Sequence, residues 1–153
     1  MARRRPAVLV MAAGGIVVIA GTLLPWLRSG GRRRHSYDLL ELVDRIGFAL
    51  DGPAATALAW WPLVPLLVVS AVVAAWWGFA RVGGGIGAVA AFYAGGTAVA
   101  VMRARTASSS GIVEVLAGTV VTTVGTVILL VGSVAAIVTG LRAPVSWRRP
   151  AQP

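Results

Sequence analysis

The chain has 153 residues, of which 58% are hydrophobic and 12% charged, and its net charge is +9. Soluble domains average ~45–50% apolar and ~25% charged residues, so this composition excludes a large soluble domain. The absence of cysteine excludes disulfides, thiolate catalysis and cysteine-ligated clusters. All fourteen basic residues are arginine, a bias typical of GC-rich bacterial genomes. Because these arginines flank apolar segments and do not follow one polar face, we expect no nucleic-acid binding.

Four long apolar segments predict an all-α integral membrane protein. A helix needs about 20 apolar residues to cross a hydrocarbon core of roughly 30 Å. Lipid offers no water to the backbone, so each segment must satisfy its own hydrogen bonds as a helix. We predict a single membrane domain over residues 1–153, a four-helix transmembrane bundle followed by a polar tail at 142–153. The predicted spans cover about 7–27, 57–80, 84–102 and 112–141.

The first span follows three arginines at residues 3–5 and superficially resembles a secretory signal. Its apolar stretch is longer than that of a signal and no small-x-small cleavage site follows, so we expect a retained span. After it, Leu39, Val43 and Ile46 recur at helical spacing. This pattern predicts a short amphipathic helix over about 36–47, lying in the membrane interface between spans one and two.

The run Arg32, Arg33 and Arg34 precedes that helix. Basic residues beside a membrane contribute about 1 kcal/mol each toward anionic headgroups, so we expect lipid contacts here; simple flanking charge is the alternative. His35 is the only histidine, so a site built from several histidines is excluded. We expect no metal, cofactor or catalytic site.

The second span is bracketed by two tryptophan pairs, Trp60–Trp61 and Trp76–Trp77. Sixteen residues of helix, at about 1.5 Å each, separate the pairs by roughly 24 Å. Tryptophan concentrates at both membrane–water interfaces, so the spacing predicts an aromatic belt at each end of this span.

Small residues recur along the third and fourth spans and predict a helix-packing seam. Such repeats let neighbouring backbones approach closely, and a seven-residue period keeps one seam facing one partner. The seam residues of span three are Gly87, Ala91 and Gly95, and those of span four are Gly111, Gly118, Gly125 and Gly132. Hydroxyls accompany the second set at Thr119, Thr122, Thr126 and Ser133. We interpret them as packing residues; the alternative is a pore lined by hydroxyls.

Glu114 is the one acid that the predicted spans place near membrane depth, about one turn into span four. An ionisable residue inside the membrane is a candidate functional acid. The structural interpretation is that Glu114 faces the positive end of its helix, with Arg103 or Arg105 within reach. No acid or base lies in the middle of a span, which argues against a proton relay or an ion-coupled carrier.

The orientation rule based on basic residues favours neither orientation, because seven arginines fall on each side of the membrane. The side with both termini has seven arginines and no acid, a net charge of +7. The other side has seven arginines and all five acids, a net charge of +2. This difference favours cytoplasmic N- and C-termini in a bacterial inner membrane.

These patterns favour a non-enzymatic accessory or assembly subunit. The expected partners are membrane lipids and another membrane protein, or a second copy of this chain, which would pack on the small-residue seams. The first alternative is a small oligomeric channel or transporter. A membrane enzyme is a weaker alternative because the chain shows no catalytic constellation.

Overall fold

Four α-helices account for most of the residues that the computed structural model describes. The described residues are 5–29, 32–37, 60–107, 113–115 and 117–141. The helices are α1 (Arg5–Leu23), α2 (Val64–Trp76), α3 (Ala80–Ala107) and α4 (Ala117–Leu141). By length and composition α1, α4 and the Ala80–Ala100 part of α3 could each cross a membrane. A 3-10 turn, Trp61–Leu63, leads into α2, and together they form a shorter apolar helix.

Consecutive helices run antiparallel, with α4 at the centre of the bundle. One side of α4 packs on α1 and the other on α3, while α2 packs on α3 and, less extensively, on α1. The core between them contains the fully buried side chains of Met11, Val18, Val64, Val68 and Leu129. We call the end of the bundle with the α2–α3 connection the turn end, and the opposite end the sheet end.

The sheet end carries an antiparallel sheet that the all-α prediction did not include. Among the described residues its strands are β1 (Pro25–Ser29), β2 (Arg32–His35) and β3 (Val113–Val115), in the order β2-β1-β3. Consequently α1 ends at Leu23 and not at 27, because proline disfavours helical backbone in the residue before it. The fourth span likewise begins at 117 and not at 112, since β3 occupies 113–115.

The connection between α2 and α3 is tighter than predicted. The chain turns at Gly78, whose φ of +101° is costly for residues with a side chain. The predicted spans leave residues 81–83 for the connection, but these residues lie inside α3. At Gly83 a Cβ atom would come within 2.6 Å of the Ala75 nitrogen, so glycine there permits α3 to approach α2 closely.

The second span is shorter than its predicted range of 57–80. It is helical only from Trp61 to Trp76, and residues 57–59 lie outside the described part. Of the predicted interfacial helix at 36–47, Ser36 and Tyr37 are described, and both are helical. The rest of that helix and the tail at 142–153 lie outside the described residues.

Candidate functional site

The glycine repeat of α4 lies against α1. A Cβ atom at Gly125 would come within 2.6 Å of the Val18 nitrogen, and one at Gly132 within 2.5 Å of the Met11 nitrogen. At the sheet end, a Cβ atom at Gly118 would meet Trp26 Cδ1 at 2.6 Å. These glycines let the two helix backbones touch, which is how small residues act in membrane helices. Gly111 lies outside the described residues.

A second repeat on α4, offset by one residue, lies against α3. Its members are the hydroxyl residues Thr119, Thr126 and Ser133, all buried. A Cβ atom at Gly95 would come within 3.1 Å of Thr126 Oγ1, and one at Gly87 would collide with Ser133 Oγ. Both small-residue patterns therefore pack helices of the same chain against each other, so these seams are not free for a partner.

Two of the four seam hydroxyls bond to the backbone of their own helix. Thr122 Oγ1 donates to the Gly118 carbonyl at 2.8 Å, and Thr126 Oγ1 donates to the Thr123 carbonyl at 2.7 Å. In the described part of the chain Thr119 Oγ1 and Ser133 Oγ have no hydrogen-bond partner. All four of these hydroxyl residues are buried in the described bundle.

An aromatic cluster closes the sheet end, and the sequence analysis did not predict it. Trp26 and Trp61 meet edge to face with ring centroids 5.2 Å apart, and Tyr93 lies 6.0 Å from Trp61. Trp61 is 2% exposed and Trp60 59% exposed, so only one member of this pair can serve an interfacial belt. Adjacent residues of a helix point about 100° apart, and this geometry was the one sequence signal that the two tryptophans would face different surroundings.

Hydrogen bonds attach β1 and the following segment to the end of α1. Trp26 Nε1 donates to the Gly21 carbonyl at 2.8 Å, and Ser36 Oγ donates to the Thr22 carbonyl at 2.6 Å. They satisfy carbonyls in the last turn of α1, which lack partners within the helix. The Trp61 Nε1 group has no partner in the described part of the chain.

The strands bring together the predicted headgroup contacts and the candidate acid. Arg28 in the central strand is the register partner of Arg33 on one side and of Glu114 on the other. Arg32 and Arg34 flank Arg33 in β2. Glu114 therefore lies in a strand outside the bundle, and its predicted position inside span four was wrong.

The outer face of α3 carries small residues that the chain itself does not cover. Among the described residues no atom outside α3 lies within 4 Å of a Cβ built at Gly85 or Gly96. Between and beyond them lie Val89, Phe92 and Val99, which are 62%, 70% and 40% exposed. The spacing alternates between four and three residues, so the five positions form one stripe along the helix. We call it the outer stripe of α3.

A groove runs beside the outer stripe, between α3 and α4. Its volume is about 340 Å³, and Gly95, Gly96, Phe92 and Thr123 are among its lining residues. The Thr123 hydroxyl donates to the Thr119 carbonyl at 2.9 Å, so it adds no unsatisfied group to the groove. The groove suits an apolar occupant.

Metal-binding residue types do not gather in the described part of the chain. No group of three or more histidines, cysteines or acids lies close enough there to hold an ion.

Comparison with known proteins adds no family to this description. No family model matches the chain, and neither a search of curated proteins nor one of solved structures finds a match. The fold thus defines the class alone, a helical protein with the make-up of a multi-pass membrane protein.

Proposed function

We propose that the protein is a non-enzymatic subunit of a bacterial inner-membrane assembly and that the outer stripe of α3 receives a transmembrane helix of its partner. The observation that carries this proposal is the pair of open glycines, Gly85 and Gly96. Glycine inside a helix is less favourable than alanine by up to ~1 kcal/mol in soluble hosts. Elsewhere in this bundle glycines allow close helix contact, whereas these two have no such role within the described chain.

A helix fits the outer stripe better than lipid tails do. Small residues at helix interfaces allow backbones to approach, which gains dispersion energy that disordered lipid tails do not supply. Phe92 projects between the two glycines and is 70% exposed. A partner with a complementary small residue would cover this ring.

The glycines of α4 cannot serve the same purpose. Gly118 and Gly125 contact Trp26 and the α1 backbone, so enlarging them would disturb the bundle itself. Loss of a partner in such a variant would report misfolding. The decisive substitution is therefore on α3.

The test compares Gly96→Leu with Ala13→Leu, an enlargement to the same side chain at an exposed position of α1. A photo-crosslinking residue at position 92 is introduced into each variant and into the parent, and the adducts are identified in living cells. We expect one discrete heterologous adduct in the parent and in Ala13→Leu, and its loss in Gly96→Leu. All three proteins should show the same helical circular dichroism in detergent.

Three outcomes would overturn the proposal. An unchanged adduct in Gly96→Leu would show that the partner does not use the outer stripe. An adduct of twice the monomer mass would identify a second copy as the occupant. A crosslink that forms equally from an exposed position of α1, such as Ile16, would indicate random collision.

Other features extend the proposal to the membrane surface. We infer that Arg32, Arg33 and Arg34 contact anionic headgroups from β2, which lies beyond the end of α1. We also infer cytoplasmic termini, from the surplus of positive charge at the turn end. Glu114 stays a candidate acid, now as the strand neighbour of Arg28.

A further inference from the structure

A cavity of about 270 Å³ opens at the turn end, at the opposite end of the bundle from the sheet. It is lined by Gly78, Phe79, Ala80, Arg81, Val82 and Gly140. The α2–α3 turn forms one wall and the last turn of α4 the other. A Cβ atom at Gly140 would come within 3.1 Å of Arg81 Cγ, so the aliphatic stem of this arginine lies along the glycine. Gly140 thus leaves space that a larger residue would fill.

Phe79 lines the cavity, and two further exposed aromatic residues, Trp76 and Trp77, directly precede the turn that forms its wall. Trp76, Trp77 and Phe79 are 66%, 76% and 62% exposed. Tryptophan and other amphipathic aromatic rings concentrate at the level of the lipid headgroups. The aromatic residues therefore place the cavity at the boundary between acyl chains and headgroups, where a phospholipid presents its phosphate.

Within the described part of the chain no acid lies at the turn end. The sequence segments that flank it carry seven arginines, and all five acids fall in the segments that flank the other end. Among the described residues the only acid is Glu114, in β3 at the sheet end. A guanidinium group matches the geometry of a phosphate with two parallel hydrogen bonds. Arg81 is exposed and lines the cavity, so it can offer this pairing.

We propose that this cavity binds the phosphate of an anionic phospholipid, with Arg81 as the phosphate ligand and Phe79 beside the part of the acyl chain nearest the headgroup. The charge complementarity selects an anionic lipid, and the aromatic residues select a lipid over a soluble anion. The site shares no lining residue with the outer stripe of α3 and would exist in the isolated protein.

The experiment measures thermal unfolding of the purified protein in nanodiscs of phosphatidylcholine with and without phosphatidylglycerol. We expect phosphatidylglycerol to raise the unfolding temperature of the parent by several degrees. Arg81→Gln should lose most of this shift, while Arg81→Lys, which keeps the charge, should keep at least half. Arg5→Gln removes an exposed arginine at the same end, outside the cavity, and should keep all of it.

Native mass spectrometry supplies the second measurement, because it counts bound lipid directly. The parent should retain one phosphatidylglycerol molecule that Arg81→Gln lacks, whether or not the substitution changes stability. If Arg5→Gln and Arg81→Gln lost bound phosphatidylglycerol equally, binding would depend on the overall positive charge of this end, and the proposed site would be wrong. Inorganic phosphate or glycerol phosphate could instead stabilise the detergent-solubilised parent as much as lipid does. The ligand would then be a soluble phosphate, and the proposal of a lipid would be wrong.

Discussion

Single glycines in this bundle have opposite roles according to what lies opposite them. Gly125 lies against the backbone of α1 at Val18, whereas Gly96 faces outward with no neighbour within 4 Å among the described residues. Backbone contact is possible at Gly125 because it has no side chain to hold the helices apart, and the packed interior leaves no space for one. The same residue type therefore marks an internal contact in one helix and an open surface in another.

This contrast predicts the effect of one added methyl group. Gly125→Ala should destabilise the protein by about 1–3 kcal/mol, because the helices must separate to admit the methyl. Gly96→Ala should leave stability unchanged or raise it by up to about 1 kcal/mol, since alanine favours the helix. Unfolding titrations followed by circular dichroism in mixed detergent would measure both. Equal destabilisation by the two substitutions would contradict the assignment of inner and outer faces.

Among the elements, α2 departs most from the length of a membrane span. With its 3-10 turn it runs from Trp61 to Trp76, which corresponds to roughly 24 Å against a hydrocarbon core of about 30 Å. The neighbouring α3 and α4 have 28 and 25 residues and can accommodate a thicker bilayer by tilting. The tight turn at Gly78 prevents α2 from extending further at that end.

The short α2 predicts a dependence on bilayer thickness. Mismatch costs fractions of a kcal/mol per Å, so the bundle should be most stable in lipids with short acyl chains. Thermal unfolding in nanodiscs of phosphatidylcholines with increasing chain length would measure this preference. A stability maximum in long-chain lipid would show that α2 is not the limiting element.

The whole molecule is asymmetric in charge and in architecture. Helices and a tight turn form one end, and the sheet lies at the other. The sequence segments that flank the first end contain seven arginines and no acid, and those that flank the second contain all five acids. A surplus of positive charge favours retention of an end in the cytoplasm. The sheet would then face the opposite side of the membrane.

The absence of cysteine makes this orientation directly testable. Single-cysteine variants Ser29→Cys, in β1, and Trp77→Cys, at the turn end, can be labelled in intact cells with a membrane-impermeant maleimide. We expect labelling of Ser29→Cys alone, and of both variants after the cells are permeabilised. Labelling of Trp77→Cys alone in intact cells would reverse the orientation.

The sequence by itself determined the features that depend on local pattern. Long apolar segments identify the three helices that could span a membrane, and the seven-residue recurrence of Gly118, Gly125 and Gly132 identifies one face of α4. Lipid imposes helix on any such segment, so this prediction needs no knowledge of neighbours. The aromatic pairs at the ends of α2 were equally visible.

Only the tertiary structure decided which surfaces meet. The pairing of β1 with β3 joins residues far apart in sequence. The three residues of β3 are too few to show a local pattern that predicts a strand. Likewise, periodicity shows that α4 has a small-residue face but not that α1 covers it. That choice, and the inward position of Trp61, depend on the packing of whole helices against one another.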